Sequence, residues 1–262
     1  MGSAALHIAR TGLDAQDTRM RVISNNLANV NTTAFKKDRA SFETLAYQVV
    51  TAPGAASTAE TKYATGLNLG TGVRIQGTQR LETQGSLQTT GNGLDMAIDG
   101  NGYFQIQLPG GGLGYTRAGN FSRSAEGQLV TAEGYQVMPG VTIPEGAISV
   151  TVGSDGTVSA QMPNQTDLTQ IGQIQVASFP NPAGLQAVGD NYLIETPASG
   201  TVALGNAGID GRGTIRQGML EGSNVNVVEE LVDMIETQRA YEVNSKMISA
   251  TDEMLKYVNQ NI

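Results

Sequence analysis

The chain has 262 residues, a net charge of −8, no cysteine and one histidine. The acidic balance and the lack of a basic patch argue against a nucleic-acid surface, and the missing cysteines exclude disulfides and thiol chemistry. No run approaches the roughly 18 apolar residues of a membrane-spanning helix, and the start, MGSAALHIARTGLDAQ, lacks the basic-then-apolar layout of a Sec-type signal peptide.

Turn-forming residues are partitioned along the chain. Residues 13–52 and 223–262 contain neither Gly nor Pro; only Gly2 and Gly12 of the 33 glycines fall before 54, and all 8 prolines lie between 53 and 222. The first element is expected to be a helix over 4–29. Leu6, Leu13, Met20 and Leu27 recur every seven residues, and Ala9, Ile23 and Val30 widen the apolar face. Gly12 lowers helix propensity by about 1 kcal/mol. The Asn-rich run 24–31 competes with the helix through local hydrogen bonds, which places the helix end there.

A mixed segment follows. Phe35, Phe42, Leu45, Ala46, Val49 and Val50 suggest partial helix over 35–50, whereas 51–66 (TAPGAASTAETKYATG) is small and polar and is expected to be a long extended loop. From 72 to 222 short apolar alternations are separated by turn signals, as in MAIDGNGYFQIQL, ISVTVGSDGTVSA and QIQVASFPNP. Asp99-Gly100, Asp155-Gly156 and Gly110–Gly112 are expected to be hairpin-type turns, in an antiparallel sandwich or barrel-like domain.

The last helix is expected over 226–258. Asn226 stands at the cap position with Glu229 three residues on, and Glu229 and Glu230 suit the positive end of the helix dipole. Val227, Met234, Tyr241, Ile248 and Leu255 repeat every seven residues, and a second apolar row that includes Leu231 runs beside them. Two apolar faces on one long helix suggest more than one neighbour.

Chemistry is sparse. None of the G-x-G pairs, beginning at Gly70, Gly91, Gly100, Gly110, Gly112 and Gly211, gains the third glycine of a dinucleotide fingerprint, and no phosphate-loop motif occurs. His7 alone cannot build a zinc site or a catalytic triad. Asp95 and Asp99 could mimic an acid/base pair but flank a β segment ending in a glycine turn. No catalytic residue, cofactor or metal is expected. Apolar residues at helical spacing are ordinarily core, yet the terminal position of the two helices and their length favour assembly.

The stretches TGLDAQDTRMRVISNNLANVNTTAFKK, GSLQTTGNGLDMAIDGNGYFQI, YTRAGNFSRSAEGQLVT and GMLEGSNVNVVEELVDMIETQRAYEVNSKMISATDEML resemble the rod and hook axial proteins of the bacterial flagellum, and the resemblance covers nearly the whole chain. Within that family, the length and the stretch from Tyr47 to about Ala64 resemble the distal rod subunits.

The resemblance implies an α+β fold in three parts. Residues 1–32 and 223–262 would be terminal helices paired as an inner coiled coil lining a channel, 33–75 an intermediate segment with an extended loop at 47–64, and 76–222 an outer antiparallel β domain. It implies a hollow helical homopolymer that carries torque from motor to hook. Leu6, Leu13, Met20, Leu27, Val227, Leu231, Met234, Tyr241, Ile248 and Leu255 would lie at subunit interfaces, and Tyr47, Pro53 and Tyr63 on a loop between subunits. Implied partners are other copies, the proximal rod protein, the hook protein, the peptidoglycan and outer-membrane ring proteins and the flagellar type III exporter. Neither nucleic acid nor membrane insertion is implied, and the basal body is the implied location. A hook or proximal rod protein is the alternative within the family, and a secreted β-rich binding module the alternative outside it.

Overall fold

The structure, a computed structural model, describes residues 2–54, 63–163 and 167–260. The chain forms two compact units. One comprises Met1–Ala28, Asp38–Gln79 and Asn226–Ile262, and the other Asn29–Lys37 and Arg80–Val225.

The first unit is built on α1 (Gly2–Ala28), the strands β1 (Asp38–Thr44), β2 (Gln48–Thr51), β3 (Leu67–Leu69) and β4 (Val73–Arg80), and the final helix α2 (Val227–Gln260). At 1.5 Å per residue the helices are about 40 and 51 Å long. Asn226 caps α2 as expected: its Oδ1 accepts the Val228 N–H at 3.1 Å.

The partial helix expected over 35–50 is instead strand. β1 pairs with β4, and β2 pairs antiparallel with β3, Gln48 facing Leu69. The reason lies at Asp38. Its N–H donates to Asn26 Oδ1 and its C=O accepts from Asn26 Nδ2, both at 2.9 Å, so the groups a helix would need are already taken and the backbone stays extended. The stretch expected as a loop over 51–66 is therefore flanked by a paired hairpin arm; its centre, 55–62, lies outside the described residues.

The second unit holds the remaining strands: β5 (Leu87–Thr89), β6 (Met96–Asp99), β7 (Tyr103–Gln107), β8 (Leu113–Thr116), β9 (Ser122–Arg123), β10 (Leu129–Val130), β11 (Val137–Met138), β12 (Ser149–Val152), β13 (Thr157–Gln161), β14 (Thr169–Gln173), β15 (Gln175–Ser178), β16 (Gln186–Gly189), β17 (Tyr192–Ile194), β18 (Ala203–Asn206), β19 (Thr214–Gln217) and β20 (Met219–Glu221). A seven-stranded sheet runs β16-β17-β8-β7-β15-β18, with β11 also on β7; β12-β13-β14 form a second sheet, and β19-β6, β20-β5 and β9-β10 pair in twos. These strands pair antiparallel throughout, so the expected α+β class with a central antiparallel β domain holds.

Strand β7 is buried on both faces because its alternate residues serve different cores. Phe104 and Ile106 join Met96, Ile98, Phe121, Val176 and Ile215, while Tyr103 joins Tyr115, Ala177, Phe179 and Leu193. Each such side chain contributes roughly 1.5–3 kcal/mol. Edge-to-face ring contacts order both clusters, Phe104 to Phe121 at 5.1 Å and Tyr115 to Phe179 at 4.8 Å.

The Gly110–Gly112 and Asp155-Gly156 turns close the β7–β8 and β12–β13 hairpins. Asp99-Gly100 does not close a hairpin, because β6 pairs with β19 and β7 lies in the large sheet. The glycine freedom there serves a ligand within the protein: the Gly100 and Gly102 carbonyls both turn onto Arg117.

Gly119 shows the tightest backbone approach. A Cβ there would lie 1.6 Å from the Met96 carbonyl oxygen, and Met96 N donates to Gly119 O at 2.9 Å. Gly119→Ala must separate β6 from this turn, and a loss of about 3 kcal/mol is expected, the upper range for overpacking. Thermal unfolding by circular dichroism checks it; an unchanged transition would show that the turn yields freely.

Candidate functional site

The two helices run antiparallel, and polar or small residues meet across the pair at three levels, while Ala9, Ala15 and Ile23 are also buried on α1. A Cβ at Gly12 would lie 3.0 Å from Asn244 Nδ2, Arg19 Nη2 donates to Asp233 Oδ1 at 3.0 Å, and Asn26 Nδ2 donates to Glu230 Oε2 at 3.2 Å. Gly12, Arg19 and Asn26 are spaced by seven, each one residue before Leu13, Met20 and Leu27. Among the described side chains of α2 the buried positions are Glu230 and Thr237, with Asn244 and Thr251 half-buried in the same seven-residue series. Gly12, which weakens the helix by propensity, thus serves as the point where Asn244 comes close.

Leu6, Leu13, Met20 and Leu27 are half-buried beside this seam, as are Met234 and Ile248. Val227, Leu231, Tyr241 and Leu255 are exposed, and so are Val228, Val232, Ile235, Val243, Met247 and Met254. Leu231 is 43% exposed, and Val228 and Met254 are 70% and 64% exposed. Isolated apolar side chains on a surface need no explanation, but contiguous rows mark a surface made for contact. The Arg19–Asp233 pair is 37% and 40% exposed, so its contribution is at the small end for ion pairs.

The β2–β3 arm is largely exposed among the described residues, with Thr51 half-buried. Tyr47, Pro53 and Tyr63 are exposed, and Val49, Val50, Leu67 and Leu69 beside them are too. A lone two-stranded hairpin is marginal in water, and this one has large apolar groups facing solvent.

The β unit also holds a buried ion cluster that no sequence motif announces. Glu221, on β20, has a fully buried side chain. Its Oε1 accepts from Lys36 Nζ at 2.5 Å and from Gly85 N–H at 2.9 Å, and its Oε2 accepts from Arg117 Nε at 2.7 Å. Lys36 Nζ also donates to Thr83 O, and Arg117 to the Ile98, Gly100 and Gly102 carbonyls. Burial alone would raise the Glu221 pKa, but Arg117 and Lys36 together hold it below the ordinary glutamate value. Burial lowers the Lys36 pKa, and the hydrogen bond to Glu221 offsets part of that. Lys36, Lys37 and Arg39, the longest basic cluster in the sequence, therefore do not form a surface patch, since Lys36 is internal. Ala34, two residues earlier, adopts φ +57°, and its N–H donates to Glu221 O at 2.8 Å.

The carboxylates considered as an acid/base pair have structural partners. Asp95 accepts from Thr90 Oγ1 at 2.6 Å and Asn92 Nδ2 at 2.9 Å, and Asp99 pairs with Arg216 at 3.2 Å. His7 is exposed on α1. Among the described residues no His, Cys, Asp or Glu group could hold a metal ion, and no helix is long and apolar enough to cross a membrane.

A chain in which the β unit falls in sequence order between two helices that pair antiparallel matches three family models in order along its length. They are flagella basal body rod protein over residues 6–36, the flagellar hook protein FlgE/F/G D1 domain over 97–160, and the flagellar basal body rod FlgEFG protein C-terminal region over 216–261. The class is that of axial subunits of the flagellum.

Among curated relatives, the flagellar basal-body rod protein FlgG of Buchnera aphidicola subsp. Acyrthosiphon pisum is 47% identical over 98% of each chain. That of Agrobacterium fabrum is 46% identical over 98% of this chain and 99% of its own. The rod protein FlgF of Caulobacter vibrioides stands further off, 35% identical over 93% of this chain and 92% of its own. The chain belongs to the FlgG family of flagellar basal-body rod proteins.

Proposed function

We propose that the chain is the structural subunit of the distal rod, polymerising into a hollow helical shaft that carries torque from motor to hook. The observation that carries this is the division of labour on the helices. The seam within one subunit uses Gly12, Arg19, Asn26, Asn244, Asp233 and Glu230, which leaves the apolar rows of α2 outward for other copies. A contact between unlike patches on successive copies continues as an open helix when its rotation does not close a ring. Leu6, Leu13, Met20, Leu27, Val227, Leu231, Met234, Tyr241, Ile248 and Leu255 are assigned to these contacts, and Tyr47, Pro53 and Tyr63 to contacts made by the arm. The family supplies the remaining partners: the proximal rod and hook proteins at the two ends, the ring proteins around the shaft and the type III exporter. The corresponding domain division is terminal helices at 1–32 and 223–262, an intermediate segment at 33–75 and an outer β domain at 76–222.

Expression in a strain lacking its distal rod subunit tests the assignment. Electron microscopy of basal bodies is expected to show a restored rod containing the chain; protein that is made and exported without appearing in basal bodies would refute it.

Deleting 47–64 separates the role of the arm from that of the helices. The β unit is expected to unfold at the parent temperature, and polymers still form but bend more, because a straight shaft needs neighbouring subunits kept from sliding. Persistence lengths measured by electron microscopy decide this. Polymers as straight as the parent's would place stiffness elsewhere.

A further inference from the structure

Three passages of the chain lie side by side in the β unit at its connections to the rest of the chain. They are 35–37, which continues into β1; 81–83, which arrives from β4; and 222–224, which continues toward α2. One side chain ties all three. Asn224 Oδ1 accepts the Lys37 N–H at 2.7 Å, and its Nδ2 donates to Leu81 O at 2.8 Å, Thr83 O at 3.0 Å and Thr83 Oγ1 at 2.9 Å. Backbone bonds close the ring around it, from Leu81 N to Lys37 O at 2.9 Å and from Asn224 N to Phe35 O at 3.3 Å. Asn224 is half-buried.

We propose that Asn224 is a load-sharing clasp, which divides force arriving along α2 among the three passages instead of leaving it on 222–226 alone. Hydrogen bonds loaded together hold far longer under force than the same bonds opened one after another, and resistance to forced opening is set by an unfolding rate rather than by equilibrium stability. An amide is the side chain suited to the position, since it offers an acceptor to one passage and donors to another. The biological meaning of the clasp rests on the drive-shaft assignment, but its mechanics belong to the β unit and can be measured apart from it.

The chain has no cysteine, so pulling handles can be placed at will. With handles at Tyr257→Cys and Leu113→Cys, both exposed positions, force reaches Asn224 once α2 has peeled away. At a fixed force, Asn224→Ala is expected to shorten the lifetime of the next step at least tenfold. With handles at Leu113→Cys and Leu204→Cys, which load the large sheet, the same substitution is expected to leave the lifetime within twofold of the parent. Equal lifetimes for parent and variant in the first geometry overturn the proposal. Equal shortening in both geometries also overturns it, because Asn224 would then be a general stabiliser. Asn224→Asp, which keeps the acceptor for Lys37 and loses the donors to Leu81 and Thr83, is pulled in the same two geometries and takes the place of the alanine variant if that fails to fold. Failure of the parent chain to restore a rod in cells would sink the drive-shaft assignment and leave the clasp to stand or fall on these lifetimes.

Discussion

Glu221→Gln is expected to lower the unfolding free energy of the β unit by about 3–5 kcal/mol, the usual cost of removing one partner from a buried ion pair. The amide keeps the shape but removes the carboxylate that both Lys36 and Arg117 contact, leaving Glu82 as the remaining anion acting on Lys36. Replacing all three residues by apolar ones is not expected to be neutral. Arg117 also satisfies the carbonyls of Ile98, Gly100 and Gly102, and those would be stranded. Urea unfolding of parent and variant measures the difference, and a loss under about 1 kcal/mol would show that water or relaxation screens the cluster.

The same residue gives the pH dependence. Its folded-state pKa lies below the ordinary glutamate value of 4.5. The unfolded chain therefore binds the proton more readily, and the stability contributed by Glu221 is fully present above about pH 4.5 and lost as the pH falls through the folded value. Between about pH 7 and 4.5 the parent and Glu221→Gln curves are expected to run parallel. Further into acid the parent falls toward the variant, and a gap that stays constant there would contradict the assigned ionisation.

Leu231→Asp or Met234→Asp is expected to abolish assembly while the β unit unfolds at the parent temperature. Losing one buried Leu or Met contact removes roughly 1.5–3 kcal/mol, and a carboxylate facing an apolar partner adds a desolvation cost. A loss of about 3 kcal/mol weakens each contact on the order of a hundredfold, and every subunit repeats it. Cells carrying either change are expected to export the protein, build no complete rod and fail to swim. Normal swimming would remove these two positions from the interface.

The local signals in the sequence were sufficient for the two helices and misleading for the seam between them and for the strands at 38–51. The Gly/Pro partition and the seven-residue repeats mark both helices, because capping and periodicity are properties of neighbouring residues, and Asn226 caps α2 as its position suggests. The apolar repeats do not reveal that the helices meet one another along Gly12, Arg19 and Asn26. A search for hydrophobic period passes over a glycine, an arginine and an asparagine even when they are evenly spaced. The strand at 38–44 was hidden for a different reason, since Asn26, twelve residues away, decides the fate of the Asp38 backbone. The Glu221 cluster joins residues 185 and 104 positions apart, a distance at which single-sequence pattern carries no information.

Because α1 and α2 run antiparallel, the first turn of α1 and the last turns of α2 point toward one end of the pair. Reporter groups attached to either would meet the same neighbours, so moving a fluorophore or epitope from one terminus to the other offers no escape from interference. The β7–β8 hairpin offers a better place. Gly110 and Gly111 have positive φ, a Cβ added at either would meet nothing within 4 Å, and the turn is exposed. Exposed loop tips of small residues are where inserted peptides are best tolerated. A label at 110–112 would let the subunit be followed in living cells with its helices left untouched.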